Sequence, residues 1–312
     1  MSQLISILTL MAALAAGMLL GMIPRVRVFR KSGMFETARN AVLYILIFSM
    51  GFHLGRTEGI VESLPSLGLK AFAFALASIA GTVLVLVVLF SLKPGPSPRR
   101  DSSPKAGGSW LKILKDPLIL FLILAAGFLA AFLPVFPEAD AGSLITVMLY
   151  ALLLAIGIGL SGSGIRFSEV ITHPDLFLIP LGTAAGSLIG GLAAGLAFGM
   201  RPGTALAVSS GFGWYSLSGV MLTRLDGPIT GSIAFLANIM REIAALILIP
   251  LLARTRFPYT AIGAGGATAM DVTLPLIEKS CGPRSVGFAM ASGAVLSLAV
   301  PVLVPLFHQL GA

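Results

Sequence analysis

AFAFALASIAGTVLVLVVLFSL, residues 71–92, runs for 22 positions without a charged side chain. A helix of that length rises about 33 Å, enough to cross roughly 30 Å of hydrocarbon, whereas a soluble core helix would need a polar face. Leu176 to Phe198 forms a second run of the same kind. The whole chain follows suit: 56% of its 312 residues are hydrophobic and 11% charged, with a mean hydropathy of +0.97. That leaves too little polar surface to cover a water-soluble globule, so lipid is the expected solvent.

Outward from these runs, breaks in the apolar pattern divide the chain into about eight expected spans, near 5–23, 39–55, 69–92, 117–136, 143–160, 176–199, 229–253 and 286–309. The first lacks a preceding basic region and a small-residue cleavage site, so it reads as a retained span. Two further apolar segments, 203–226 and 260–280, are interrupted by glycine, hydroxyl and charged residues. They fit re-entrant hairpins, because broken backbone at membrane depth is tolerated against protein or a cavity. Cations choose the orientation. Arg25, Arg27, Arg30 and Lys31 follow the first span, and the proline-rich stretch 93–116 holds six more. The positive-inside rule places both on the cytoplasmic side, with both termini outside. Arg254, Arg256, Lys279 and Arg284 fall inside as well if 203–226 enters from outside and returns, and 260–280 enters from inside. The net charge of +8 is thereby explained by topology.

LAAGMLLGMIP at 14–24 is answered by LAAGFLAAFLP at 124–134, and Tyr44 and Gly51 of the next span by Tyr150 and Gly157. The two units begin three spans apart, an odd number, so they are inverted: spans one to three against four to six. A weaker pair at an offset of 55 relates Gly211 to Gly266, Gly227-Pro228 to Gly282-Pro283 and Pro250-Leu251 to Pro305-Leu306. Each of those units is a hairpin plus a span. The expected architecture is all-α: a three-helix unit (1–92), a flexible cytoplasmic linker (93–116), a second three-helix unit (117–202) and a hairpin-and-helix transport core (203–312). That arrangement is similar to the aspartate/glutamate transporter fold, with the crossed broken helices of sodium/proton antiporters as the alternative layout.

Among the acids, Glu242 alone lies well inside a continuous span. Burying it costs at least about 2.5 kcal/mol, so it needs a partner, a proton or a wet cavity. A structural ion pair is the plain alternative. Asp271 lies in GGATAMDVTLP, 265–275, at the turn of the second hairpin, where it meets water or ligand unless the stretch is an ordinary loop. GFGWYSLSG, 211–219, brings Ser216, Ser218, Trp214 and Tyr215 to the first hairpin; the aromatics also suit an interfacial belt. Asn238 stands one helical turn before Glu242, and Glu58 directly follows the second span. His53, His173 and His308 have no second ligand at metal-binding spacing, and the single Cys281 allows no internal disulfide. No nucleotide loop or nucleophile set is present, so neither an enzyme nor an ATP-driven pump is expected, and no cofactor.

The stretches GFGWYSLSGVMLTRLDGP at 211–228, FLANIMREIAALILIP at 235–250, GGATAMDVTLPLIEK at 265–279 and MGFHLG at 50–55 closely resemble the bacterial lysine exporter family. The resemblance implies a multi-pass inner-membrane protein exporting L-lysine and toxic analogues such as thialysine, in exchange for protons. It carries the family's essential acids onto Glu242 and Asp271. At the end of the second span the family tends to have aspartate where this chain has Glu58.

Lysine has two ammonium groups and one carboxylate. On this reading Glu242 and Asp271 receive the ammonium groups, while Ser216, Ser218, Thr268, Thr273 and exposed amides at the hairpin tips receive the carboxylate. A monovalent cation/proton antiporter using the same acids is one rival. A non-transporting membrane scaffold with a buried structural pair is the other. Lipid is the expected surroundings, and a homo-oligomer is compatible with the sequence.

Overall fold

The structure is a computed structural model that describes residues 2–30, 32–57, 60–92, 110–133, 141–161 and 174–310. Among these, helices account for all regular structure. The expected spans appear in order as α1 (Ser2–Met22), α3 (Gly33–Gly55), α4 (Ile60–Leu92), α5 (Trp110–Ala130), α6 (Ala141–Leu160), α7 (Pro174–Ala197), α10 (Pro228–Leu252) and α13 (Ser285–Leu310). A short α2 (Pro24–Arg30) turns off the end of α1 at 99°. The chain is an all-α membrane protein. Five helices, α3, α4, α7, α10 and α13, are long and apolar enough to cross a bilayer, α1 with α2 makes a sixth as a bent pair, and the apolar stretches of α5 and α6 are shorter.

Four boundaries differ from expectation by six residues or more: α4 starts at Ile60 and not 69, α5 ends at Ala130 and not 136, and the starts of α3 and α5 both come early. Helix α3 starts at Gly33, well before 39, so Glu36 and Arg39 stand on its first turns. Helix α5 starts at Trp110 and takes seven residues from the expected linker; Leu and Lys of WLKILK are good helix formers. The rest of that linker, 93–109, lies outside the described residues, as does Glu58.

The inverted repeat is visible in packing. Helix α1 lies against α6 as α3 lies against α5. A Cβ added to Gly17 would collide with the carbonyl of Leu154, and one on Gly157 with that of Leu14. The repeat carries the first contact onto Gly127 against Phe48 and the second onto Gly51 against Leu124, and both are present. Helices α4 and α7 form the third pair, with Gly81 and Gly186 each abutting the other's carbonyl. Small residues let backbones touch where lipid offers no hydrophobic drive for association.

Packing divides the molecule differently from the chain order. Helices α1, α3, α5 and α6 form one body. Helices α4 and α7, expected within the three-helix units, instead pack with α10, α13 and the broken segments as a second body. The first broken segment is α8 (Pro202–Ser209) and α9 (Tyr215–Asp226); the second is α11 (Thr260–Gly265), a 3-10 turn at Gly266–Met270 and α12 (Leu274–Cys281).

Both segments reverse inside the bundle, and they do so from opposite ends. Tyr259 and Cys281 share one apolar cluster with Leu86, Ile179 and Ile249, and Cys281 Sγ lies 3.5 Å from the Pro258 carbonyl. The second segment therefore returns to the end at which it began. The first starts beside the far end of α7, with Ala205 against Gly195, and finishes where Asp226 meets His308 at the far end of α13. The tips join in the middle: Ala267 N–H donates to the Phe212 carbonyl at 2.9 Å. Left-handed backbone at Gly213 (φ 97°) and Gly266 (φ 61°) makes that approach possible.

Candidate functional site

Each tip is held from behind by α10. Asn238 accepts the Gly213 N–H at 2.7 Å through Oδ1, and its Nδ2 donates to the Ala234 carbonyl at 2.9 Å and to Ser218 Oγ at 3.2 Å. Arg241, 2% exposed, points a helical step away. Its guanidinium donates to Ser187 Oγ of α7 at 2.7 Å, and to Thr82 Oγ1 of α4 and the Gly263 carbonyl of α11 at 3.4 Å each. Buried polar groups seek partners, and here the tip backbone and the α4–α7 pair satisfy Asn238 and both terminal nitrogens of Arg241, while Arg241 Nε stays buried without one.

In front of the tips is a cavity of about 420 Å³, between the two bodies. Its size falls in the range of about 300–1,000 Å³ usual for small-molecule sites. Glu242 and Asp271 both line it, with Trp214, Tyr215, Ser216 and Thr268 from the tips. Glu242 is 1% exposed and sits deep; Asp271 is exposed to the cavity and accepts the Val272 N–H at 2.6 Å.

Of the residues expected at a site, Ser218, Thr273 and Asn238 do not line the cavity. Ser218 donates to the Trp214 carbonyl at 2.8 Å and Thr273 to the Thr268 carbonyl at 3.0 Å. Thr268 lines the cavity but donates to the Gly265 carbonyl at 2.9 Å. Hydroxyls on helices and turns satisfy nearby carbonyls first, so these three hold the tips in shape. Among the expected hydroxyls, Ser216 and Thr268 line the cavity itself.

The opposite wall is a part that the sequence did not announce. It comes from the first body: Glu36, Arg39, Asn40 and Tyr44 of α3, with Leu120 of α5 and Leu152 of α6. In sequence these polar residues look like span-end charges. Ser297 of α13 also lines the cavity and is 2% exposed. A signal for it existed: the offset of 55 carries Glu242 onto Ser297 and Ser216 onto Asp271. The cavity thus sits where the two hairpin units meet, with one acid and one hydroxyl at each equivalent pair. Among the described residues no group of three or more His, Cys, Asp or Glu could hold a metal ion.

The profile of the family described as lysine exporter LysO matches residues 11–110 and 121–308. The chain belongs to that family. It is 33% identical over 272 residues to the lysine exporter LysO of Escherichia coli (strain K12), covering 85% of this chain and 88% of that one. To a putative lysine exporter of Haemophilus influenzae it is 42% identical over 162 residues, or 52% of this chain and 83% of that one. No solved structure matches. Family membership makes the chain a multi-pass membrane transporter of amino-acid export, not an enzyme. All residues lining the cavity except Leu120 lie within the stretches that the family profile covers.

Proposed function

We propose that this protein exports L-lysine, and toxic lysine analogues such as thialysine, across the bacterial inner membrane in exchange for protons. The observation that carries the reading is the placement of Glu242 and Asp271 on one cavity between two helical bodies. A carboxylate that can hold either a proton or an ammonium group, and is reluctant to cross lipid bare, links inward proton movement to outward lysine movement. Such coupling is needed: moving a net +1 solute outward against an inside-negative potential costs about 2.3 kcal/mol per 100 mV.

Orientation supports the same direction. Arg25, Arg27, Arg30, Arg254, Arg256, Lys279 and Arg284 gather at the end of the bundle where α4 finishes, and exposed Glu36 and Arg39 place the cavity mouth toward it. By the positive-inside rule that end is cytoplasmic and both termini are outside, so the cavity is open for loading. Counterflow of labelled lysine in proteoliposomes tests the reading. Uptake should respond to an imposed pH gradient and not to sodium. Sodium-driven proton movement without lysine counterflow would establish the cation/proton antiporter instead.

A further inference from the structure

The α3 wall of the cavity brings Glu36, Arg39 and Asn40 opposite the hairpin tips. Arg39 is the single basic side chain among the described residues lining the cavity. Its guanidinium is near enough for its charge to act on Asp271. The two belong to different bodies, Arg39 to α3 and Asp271 to the second hairpin.

A cavity with Glu36, Glu242 and Asp271 alone would attract any small dication. An amino acid differs from a diamine by one carboxylate, on the carbon that also bears an ammonium group. Of the four hydroxyls expected to receive that carboxylate, Ser218, Thr268 and Thr273 each donate to a backbone carbonyl of their own tip, which leaves Ser216 on the cavity wall as a neutral donor beside Arg39. A guanidinium, by contrast, matches a carboxylate with paired N–H donors.

We propose that Arg39 receives the substrate's α-carboxylate while Asp271 receives its α-ammonium. The zwitterionic head inserts between them, each of its charges meeting the opposite charge on one wall of the cavity. Glu242, deeper in the cavity, then takes the side-chain ammonium. Asn40, on the next residue of α3, offers an amide to the same carboxylate. Arg39 is thereby the residue that selects amino acids over diamines, an assignment that rests on the lysine reading. Because the head bridges both bodies, a diamine would fill the acids without joining α3 to the hairpin.

The test is a preference ratio. Purified protein in liposomes is assayed for inhibition of labelled-lysine counterflow by unlabelled lysine and by 1,5-diaminopentane, which is lysine without its carboxylate. The unaltered protein should prefer lysine by roughly tenfold to a hundredfold, the value of one charge-assisted hydrogen-bonded pair. Arg39→Gln should erase most of that preference while 1,5-diaminopentane binds as well as before or better, and Arg39→Lys should keep part of it. Arg39 lies on an exposed turn, so both variants should fold. An undiminished preference in Arg39→Gln, even with both ligands bound more tightly, would overturn the assignment and leave the lysine reading standing. Failure of the unaltered protein to carry lysine at all would overturn both.

Discussion

Arg224 lies over the ring of Tyr150, 5.1 Å from its centre, and donates to its hydroxyl at 3.0 Å. Tyr150 belongs to α6 in the first body and Arg224 to α9 in the second, at the end of the bundle away from the Glu242 cavity mouth. Thr9 of α1 extends the chain, its Oγ1 lying 3.1 Å from the Tyr150 hydroxyl. These contacts close the seam between the bodies at that end. A second, more open cavity of about 550 Å³, lined by His53, Thr146 and Arg224 among others, sits there.

Tyr150→Phe keeps the ring and removes the hydroxyl, so the closed end loses about 1 kcal/mol of hydrogen bonding, a roughly fivefold shift in population. A cysteine placed at Ser216 in the tip should then react faster with a membrane-impermeant reagent from the Arg224 side. An unchanged rate would mean that Arg224 and Tyr150 do not hold that end closed.

The two repeats predict the partner of this contact in the opposite state. One carries Tyr150 onto Tyr44 and the offset of 55 carries Arg224 onto Lys279. Here Tyr44 lines the open cavity and is 39% exposed, while Lys279 sits on the returning arm of the second hairpin. When the cavity opens the other way, Lys279 should reach Tyr44. In a Cys281→Ser background, a bifunctional maleimide long enough to span the two side chains should join cysteines at 44 and 279 and arrest transport, and should join cysteines at 150 and 224 in the present state. Transport that continues with 44 and 279 joined would break the symmetry argument.

The glycine seams of the first body make a prediction about stability. Gly51 and Gly157 touch the carbonyls of Leu124 and Leu14, and each contact has no room for a Cβ. Gly51→Val and Gly157→Val should each destabilise by about 1–3 kcal/mol through overpacking. Because the sites are equivalent in the repeat, the losses should be similar. Thermal unfolding in detergent measures both, and Gly33→Val, at a position with open space around it, is the control.

Much of this arrangement was legible from residue order. The spans, the two broken segments and their opposed entry followed from apolar run length and the placement of cations, since lipid forbids the alternatives. Glu242 and Asp271 stood out because charge at membrane depth is expensive. What residue order hid was set by packing between distant helices. The union of α4 and α7 with the hairpins depends on Gly81 meeting Gly186, and the α3 wall depends on which face of α3 looks at the tips. Arg241 was hidden for the same reason. Its neighbours Ser187, Thr82 and Gly263 come from three other helices. Arg241→Met would leave those groups without their donor and should cost about 1–3 kcal/mol, read as earlier thermal unfolding.

Glu242 and Asp271 reach one cavity from different elements, the crossing helix α10 and the tip of the second hairpin. If they hold the exchanging proton and the substrate's ammonium groups together, losing either should disable the exchange as fully as losing both. Glu242→Gln and Asp271→Asn keep shape while removing the capacity for charge. Each should abolish lysine-driven proton release from proteoliposomes and leave folded protein in the membrane, and the double variant should be no worse. Substrate binding separates the two residues. Glu242 is 1% exposed and Asp271 faces open cavity, so Asp271→Asn should weaken first contact with lysine and Glu242→Gln should block the step after it. Filter binding of labelled lysine, measured beside exchange, distinguishes those roles. A double variant far worse than either single would show two independent sites, and normal coupled export by either amide would remove that residue from the mechanism.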